Sequence, residues 1–299
     1  MTYSIVARDD ETGQLGVAVQ SHFFSVGPIV PWAEAGVGAV ATQAHVEVSY
    51  GPKGLELMRA GTPAGRALGV LVFADKEADH RQVAMVDAMG RAVAHTGEKC
   101  IAEAGDRQGE GVSVQANMMR NATVPDVMLA AYEGAKGDLA ERMLAALDAA
   151  EAEGGDIRGK QSAAMLIVKG RASDTPWADR IVDLRVEDHP APLEELRRLV
   201  RMRRGYDAVE RAEQAALDGD VETAAREYAD AENNIGDNVE ASFWAGVSLA
   251  AAGQEEQARA VLQKSLSRHD GWAELLRRLP ATGMFPIESD LIERLLASD

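Results

Sequence analysis

Short runs of alternating apolar and polar residues dominate the first half of the chain. Tyr3 to Arg8 and Gln14 to Ser21 are two such β-rich runs, separated by Asp9-Asp10-Glu11-Thr12-Gly13, a polar stretch ending in glycine that reads as a hairpin turn. Val37 to Gln43 fits a third strand, and Gln82 to Asp87 with Ala92 to Thr96 a further pair around Ala88-Met89-Gly90-Arg91. Between them the period lengthens: Gly51 to Ala60 and Pro63 to Phe73 read as helices, with Pro63 at a first helical position. A helical stretch begins at Pro125 and runs through Leu139 to Ala152. In it Leu139, Met143, Leu144 and Leu147 recur at helical spacing, and Gly154-Gly155 stops it. Strands at Ser162 to Val168 and Arg180 to Val186 close this half. Strands joined by tight turns predict antiparallel sheet with helices packed outside it. A doubly wound parallel sheet would need a helix between every pair of strands.

Past Gly205 the pattern is helical almost throughout, and a domain boundary is expected there, giving 1–204 and 205–299. This second part repeats. Ala224 in DGDVETAAREYADA and Ala258 in AGQEEQARAVLQKS stand 34 positions apart, as do Gly219 and Gly253, Ala215 and Leu249, and Tyr228 and Leu262. Thirty-four residues is the tetratricopeptide period, and Gly246 supplies a small residue where paired helices of that motif approach closely. With a helix over 271–279, two copies predict a small all-α, tetratricopeptide-like domain that packs on the main domain or on another subunit, with a protein partner through the repeats as a further expectation. A homo-oligomer is expected.

Composition narrows the partners. With 31 Lys+Arg against 48 Asp+Glu, the formal charge of −17 argues against nucleic acid and anionic membrane. From Gly205 onward there are 8 basic and 19 acidic residues, so −11 of that charge lies on the helical tail. The arginines of LRRLVRMRRG therefore read as solvated or interdomain pairs and not as a nucleic-acid patch. Cys100 is the single cysteine, which excludes an internal disulfide and thiolate zinc clusters. The first apolar run ends at Arg8-Asp9-Asp10 and no apolar stretch reaches about 18 residues, so a cytoplasmic location is expected, with no secretory or membrane segment.

Five segments carry a family resemblance in order: TYSIVARDDETGQLGVAVQS, GVGAVATQA, YGPKGLELM, the HTG of His95 to Gly97, and GGDIRGKQSAAMLIV from Gly154 to Val168. Together they resemble the DUF1028 family, over the roughly 200 residues from Thr2 to VEDHPAPLEELRRL and not over the helical tail. The resemblance implies a fold similar to N-terminal nucleophile hydrolases, an αββα sandwich of two antiparallel sheets with helices on both outer sides. It also implies a nucleophile at the chain start, here Thr2 once Met1 is removed. The freed α-amine, with an ordinary pKa of about 8, would take the hydroxyl proton for acyl transfer from a small amide or other C–N bond. The alternative is a non-catalytic protein of the same fold, which binds a small ligand or assembles through its repeats.

Further candidates for a substrate site come from the residues themselves. Asp156, Arg158 and Gln161 lie in the glycine-rich GGDIRGKQS at the mouth of a strand, where an arginine can hold a carboxylate bidentately; a turn held by Asp156 and Arg158 is the competing reading. Thr42 and Gln43 end the third strand among small neighbours and can face a cleft between sheets, or be satisfied core polars. Gln115 and Asn117 offer amide donors for an oxyanion or for loop anchoring. The scattered histidines lack the HExxH pattern, so neither a metal nor a cofactor is expected. Ser21 and His22 are adjacent, which on a strand turns them to opposite faces. GVGAVA leads into a strand instead of leaving one, so it is no dinucleotide fingerprint.

Overall fold

A computed structural model describes residues 2–236, 238–283 and 285–297. Met1, whose removal the threonine mechanism invokes, lies outside the described residues. The chain divides into two compact units between Arg198 and Leu199. That division falls within a single helix which continues through Gly205, the residue at which the sequence suggests a boundary.

The first unit holds two antiparallel sheets. Its strands in chain order are β1 (Thr2–Arg8), β2 (Leu15–Ser21), β3 (Pro31–Glu34), β4 (Gly38–Ala44), β5 (Arg81–Asp87), β6 (Ala92–Thr96), β7 (Gly105–Gly109), β8 (Val112–Asn117), β9 (Ser162–Val168) and β10 (Arg180–Val186). The larger sheet has six strands in the order β10-β9-β2-β1-β8-β7, and the smaller has four, β3-β4-β5-β6. β1 is thus hydrogen-bonded on both sides, with Tyr3 opposite Gln20 on β2 and opposite Ala116 on β8.

Helices cover the outer faces. α1 (Tyr50–Arg59) and α2 (Ala64–Ala74) pack on the four-stranded sheet through Leu55, Met58, Ala67 and Leu68, against Val40, Val83 and Met85. α3 (Val124–Gly134) and α4 (Leu139–Ala152) pack on the six-stranded one. Gly16 lets α4 approach: a Cβ there would stand 3.1 Å from Met143 Sδ and 3.2 Å from Leu139 Cδ2. The inner faces of the sheets meet in a layer that changes character across its width. Toward β9 it is apolar, with Val17, Val19, Ala39, Val86, Ala164 and Leu166. Toward β8 it is polar, with Ser4, Gln43, Gln82, Gln115 and Asn117 all buried.

The second unit is helical. It comprises the rest of α5 (Pro192–Leu217), then α6 (Val221–Ile235), α7 (Glu240–Ala251), α8 (Glu255–Leu266), α9 (Gly271–Arg278) and α10 (Ser289–Leu296). Gly219 and Gly253 carry φ of +78° and +77°, the left-handed conformation in which glycine is favoured, each in the turn between two helices. Close approach explains Gly246: a Cβ there would lie 2.4 Å from Leu262 Cγ, so a side chain on α7 would push α8 away.

Candidate functional site

One end of the two sheets gathers the polar side chains. The antiparallel register brings the start of β1, the ends of β2 and β8 and the start of β9 together, because Thr2 lies opposite Asn117 and Ser21 opposite Ser162. On the facing sheet Gln43 lies opposite Gln82, and Gln82 opposite Thr96. Alternation along β1 turns Thr2 and Ser4 toward the other sheet and Tyr3 toward α4, where its hydroxyl donates to Glu151 Oε2 at 2.7 Å. Burial and the neighbouring Glu151 charge hold the Tyr3 phenol well above its ordinary pKa.

Thr2 is held at both its functional groups. Its hydroxyl lies 3.0 Å from Ser21 Oγ. Its carbonyl accepts from Gln43 Nε2 at 3.1 Å and from Asn117 Nδ2 at 3.4 Å. Behind it, Gln82 Oε1 accepts from the same two amides at 2.7 and 2.9 Å, while Gln82 Nε2 donates to the carbonyls of Ala116 and Gly105 and to Thr96 Oγ1. Ser4 donates to Gln43 Oε1 at 2.7 Å and accepts from Gln115 Nε2 at 3.2 Å. These bonds join amides and hydroxyls that would each cost about 1–3 kcal/mol if buried without a partner, so together they fix the backbone of Thr2 against both sheets.

Of the residues singled out in the sequence, Gln43, Asn117 and Gln115 belong to this network. Asp156 lies at its edge: its Oδ2 accepts from the backbone N–H of His22 at 3.0 Å, tying the loop after α4 to the end of β2. Arg158 folds back on it, with its backbone N–H 2.9 Å from Asp156 Oδ1 and its Nη2 3.3 Å from Oδ2. Thr42 and Gln161 stand apart. Thr42 lies opposite Val83, on the face that packs under α1 and α2, and donates to the Glu47 carbonyl at 3.0 Å. Gln161 donates to Asp188 Oδ1 at 3.1 Å. Ser4, Ser21 and Gln82 complete the site without having been singled out for it; for Ser4 the signal is alternation, since a polar residue two positions from Thr2 on a strand shares its face, whereas Ser21 and Gln82 reach the site from other strands.

A cavity of about 390 Å³ opens beside Asn117. Ala44 and His45 from the end of β4, and Met118 from the end of β8, line it together with Glu77, His80 and Lys99. Ala44 and Met118 are two of the three described non-glycine residues with positive φ, at +69° and +57°. Such backbone is costly for an L-residue and persists only where its surroundings hold it. Here the His45 N–H donates to the His80 carbonyl at 3.2 Å, and the Met118 N–H to the Ile101 carbonyl at 2.9 Å. Cys100 also faces the cavity, and burial pushes its thiol up. Among the described residues no group of three or more His, Cys, Asp or Glu is placed to hold a metal ion, and no helix is long and apolar enough to cross a membrane.

A family model for DUF1028, a family of unknown function, matches residues 2–196. The chain belongs to the DUF1028 family. The matched DUF1028 region takes in both sheets and every residue of the Thr2 network. Among solved structures, the crystal structure of the DUF1028 protein SPO2555 from Silicibacter pomeroyi is similar. It has 30% identity and a TM-score of 0.60, over 67% of this chain and 87% of that one. No curated protein matches.

Proposed function

We propose that the DUF1028 unit is a hydrolase of the N-terminal nucleophile type, cleaving a small amide or other C–N bond with Thr2 as nucleophile after Met1 is lost. The observation that carries the reading is the double hold on Thr2: hydroxyl beside Ser21, carbonyl gripped by Gln43 and Asn117, at the end of the sheets where the cavity opens. Two facing antiparallel sheets with helices on each outer side support the αββα architecture of such hydrolases.

In this mechanism the freed α-amine takes the hydroxyl proton as Oγ1 bonds the carbonyl carbon. The proton passes to the leaving nitrogen as the C–N bond breaks, and water then cleaves the Thr2 ester and regenerates the residue. Gln43 and Asn117 are positioning residues, since their amides hold the Thr2 backbone. The helical unit we read as tetratricopeptide-like. Its support is the 34-residue offset between Gly219 and Gly253, both left-handed in turns between helices, with Gly246 at a helix–helix approach. On this reading it serves to engage a second subunit or another protein.

One observation favours a non-catalytic ligand-binding protein instead: Thr2 is only 6% exposed. Intact-mass spectrometry followed by turnover on an amide panel tests the two. Mature protein that begins at Thr2 and releases amine, with the release abolished in Thr2→Ala, supports the hydrolase. Retention of Met1 refutes it.

A further inference from the structure

The end of the sheets that holds Thr2 also gathers apolar surface, which the threonine mechanism does not use. Among the described residues eight large hydrophobic side chains are exposed, and four of them, Phe23, Phe24, Ile101 and Ile157, each 51% to 63% exposed, lie on segments tied to this site. Ser21, whose hydroxyl touches that of Thr2, precedes Phe23 by two residues. Met118 follows Asn117, the residue opposite Thr2; its N–H donates to the Ile101 carbonyl at 2.9 Å, and its carbonyl accepts from the Ile157 N–H at 3.4 Å. The bond from the His22 N–H to Asp156 joins the Phe23 and Ile157 segments. Three segments distant in sequence thus bring these four residues around the end of β1.

The turn carrying the two phenylalanines is held in place. Ser162 Oγ donates to the Phe23 carbonyl at 2.5 Å and accepts from the Val26 N–H at 3.2 Å, and the Ser25 N–H donates to the Glu187 carbonyl at 3.0 Å. A backbone fixed in this way presents both rings at little ordering cost on binding. Ile101 and Met118 also line the adjoining cavity of about 390 Å³, so the apolar surface continues into it. The cavity's carboxylate and ammonium are already paired within the chain, Glu77 with Arg81 and Lys99 with Asp79, each at 3.1 Å, and Arg158 beside Ile157 pairs with Asp156. With these charges satisfied internally, hydrocarbon is what the mouth offers a ligand.

We infer that this mouth binds an uncharged hydrocarbon group. On the hydrolase reading, on which this extension rests, the substrate class is an amide with an apolar acyl chain, its carbonyl at Thr2 and its chain against Phe23, Phe24, Ile101 and Ile157.

The test uses three neutral carbonyl probes of graded length, 2-pentanone, 2-heptanone and 2-nonanone, titrated into the full chain and followed by ligand-observed NMR. A methylene on half-exposed apolar surface is expected to add about twofold in affinity, so 2-nonanone should bind about tenfold to twentyfold tighter than 2-pentanone. Phe23→Ser and Ile157→Ser, on separate segments, should each cut that ratio to about a third. Phe73→Ser, at a residue 94% exposed on α2, should leave it unchanged. Thermal unfolding checks that each variant folds, and Ile101→Ser replaces either one that does not. Affinity independent of chain length, no binding of 2-nonanone at millimolar concentration, a ratio untouched by both mouth variants, or one lowered as much by Phe73→Ser overturns the proposal. The ketones have no C–N bond, so these outcomes are independent of turnover. Chain-dependent ketone binding with no release of ammonia or amine from any amide would refute the hydrolase and leave the apolar site standing. Amide turnover with equal kcat/KM for acetamide and octanamide would do the reverse.

Discussion

Thr2 Oγ1 and Ser21 Oγ lie 3.0 Å apart at the adjoining ends of β1 and β2, so one hydroxyl orients the other. If Thr2 is the nucleophile, Thr2→Ala should lower amide turnover by on the order of 1,000-fold or more. Ser21→Ala should lower kcat by about tenfold and leave KM nearly unchanged, because it removes orientation and not substrate contact. Steady-state kinetics on one amide substrate separates the two effects.

Gln82 is the structural hub behind that pair, accepting from Gln43 and Asn117 and donating to two backbone carbonyls. Gln82→Leu strands several buried partners at once and should lower unfolding stability by about 2–4 kcal/mol, measured by urea titration. Gln161→Ala removes only a surface bond to Asp188 and should stay within about 0.5 kcal/mol.

Glycines divide by what surrounds them. A Cβ on Gly97 would stand 2.3 Å from the Asp79 carbonyl oxygen, which is backbone and cannot swing aside. Gly97→Ala should therefore cost on the order of 1–3 kcal/mol and displace the segment that carries His80 and Lys99 to the cavity. Gly65 and Gly69 lie exposed on α2 with open space around their Cβ positions, so alanine at either should raise stability by about 0.5–1 kcal/mol. Thermal unfolding of the three single variants gives the opposite signs directly.

Acid should destabilise the first unit through Asp9 and Asp75. Burial pushes the Asp9 carboxyl up, but bonds from Thr12 and the Arg142 charge outweigh it and hold it below its ordinary value. Asp75 is likewise pushed up by burial and held below by Arg81 and the Glu77 N–H. A carboxyl depressed in the folded state contributes stability above its unfolded pKa of about 3.9 and loses it as pH falls through the folded value. Melting temperature should thus hold down to about pH 4 and fall below it, more steeply in the wild type than in Asp75→Asn.

Much of the first unit was legible in its alternation: β1, β2, β4, β5, β6, β9 and β10 fall where the sequence places strands. What escaped was the four-residue β3, too short to show an alternation, together with β7 and β8, and for β8 the physical reason is instructive. Val112, Val114 and Ala116 of β8 face the helices, while Ser113, Gln115 and Asn117 face the opposite sheet. A strand polar on its inner face does not stand out as a core element, although the Glu110-Gly111 turn before it, with Gly111 at φ +68°, is a hairpin signal. The site was hidden for the same reason. Gln43 and Asn117 can be read as candidates singly, but only the pairing of Gln43 with Gln82 and of Thr2 with Asn117 makes them one network.

The bonds that directly grip Thr2 and its immediate partners run through Ser4, Ser21, Gln43, Gln82, Gln115 and Asn117, none of which exchanges a proton across the physiological range. Acidity that loosens Asp9 and Asp75 elsewhere therefore reaches this inner shell unfelt. Whatever titration an activity of this protein displays near neutrality thus originates outside this inner shell, which contributes a silent background.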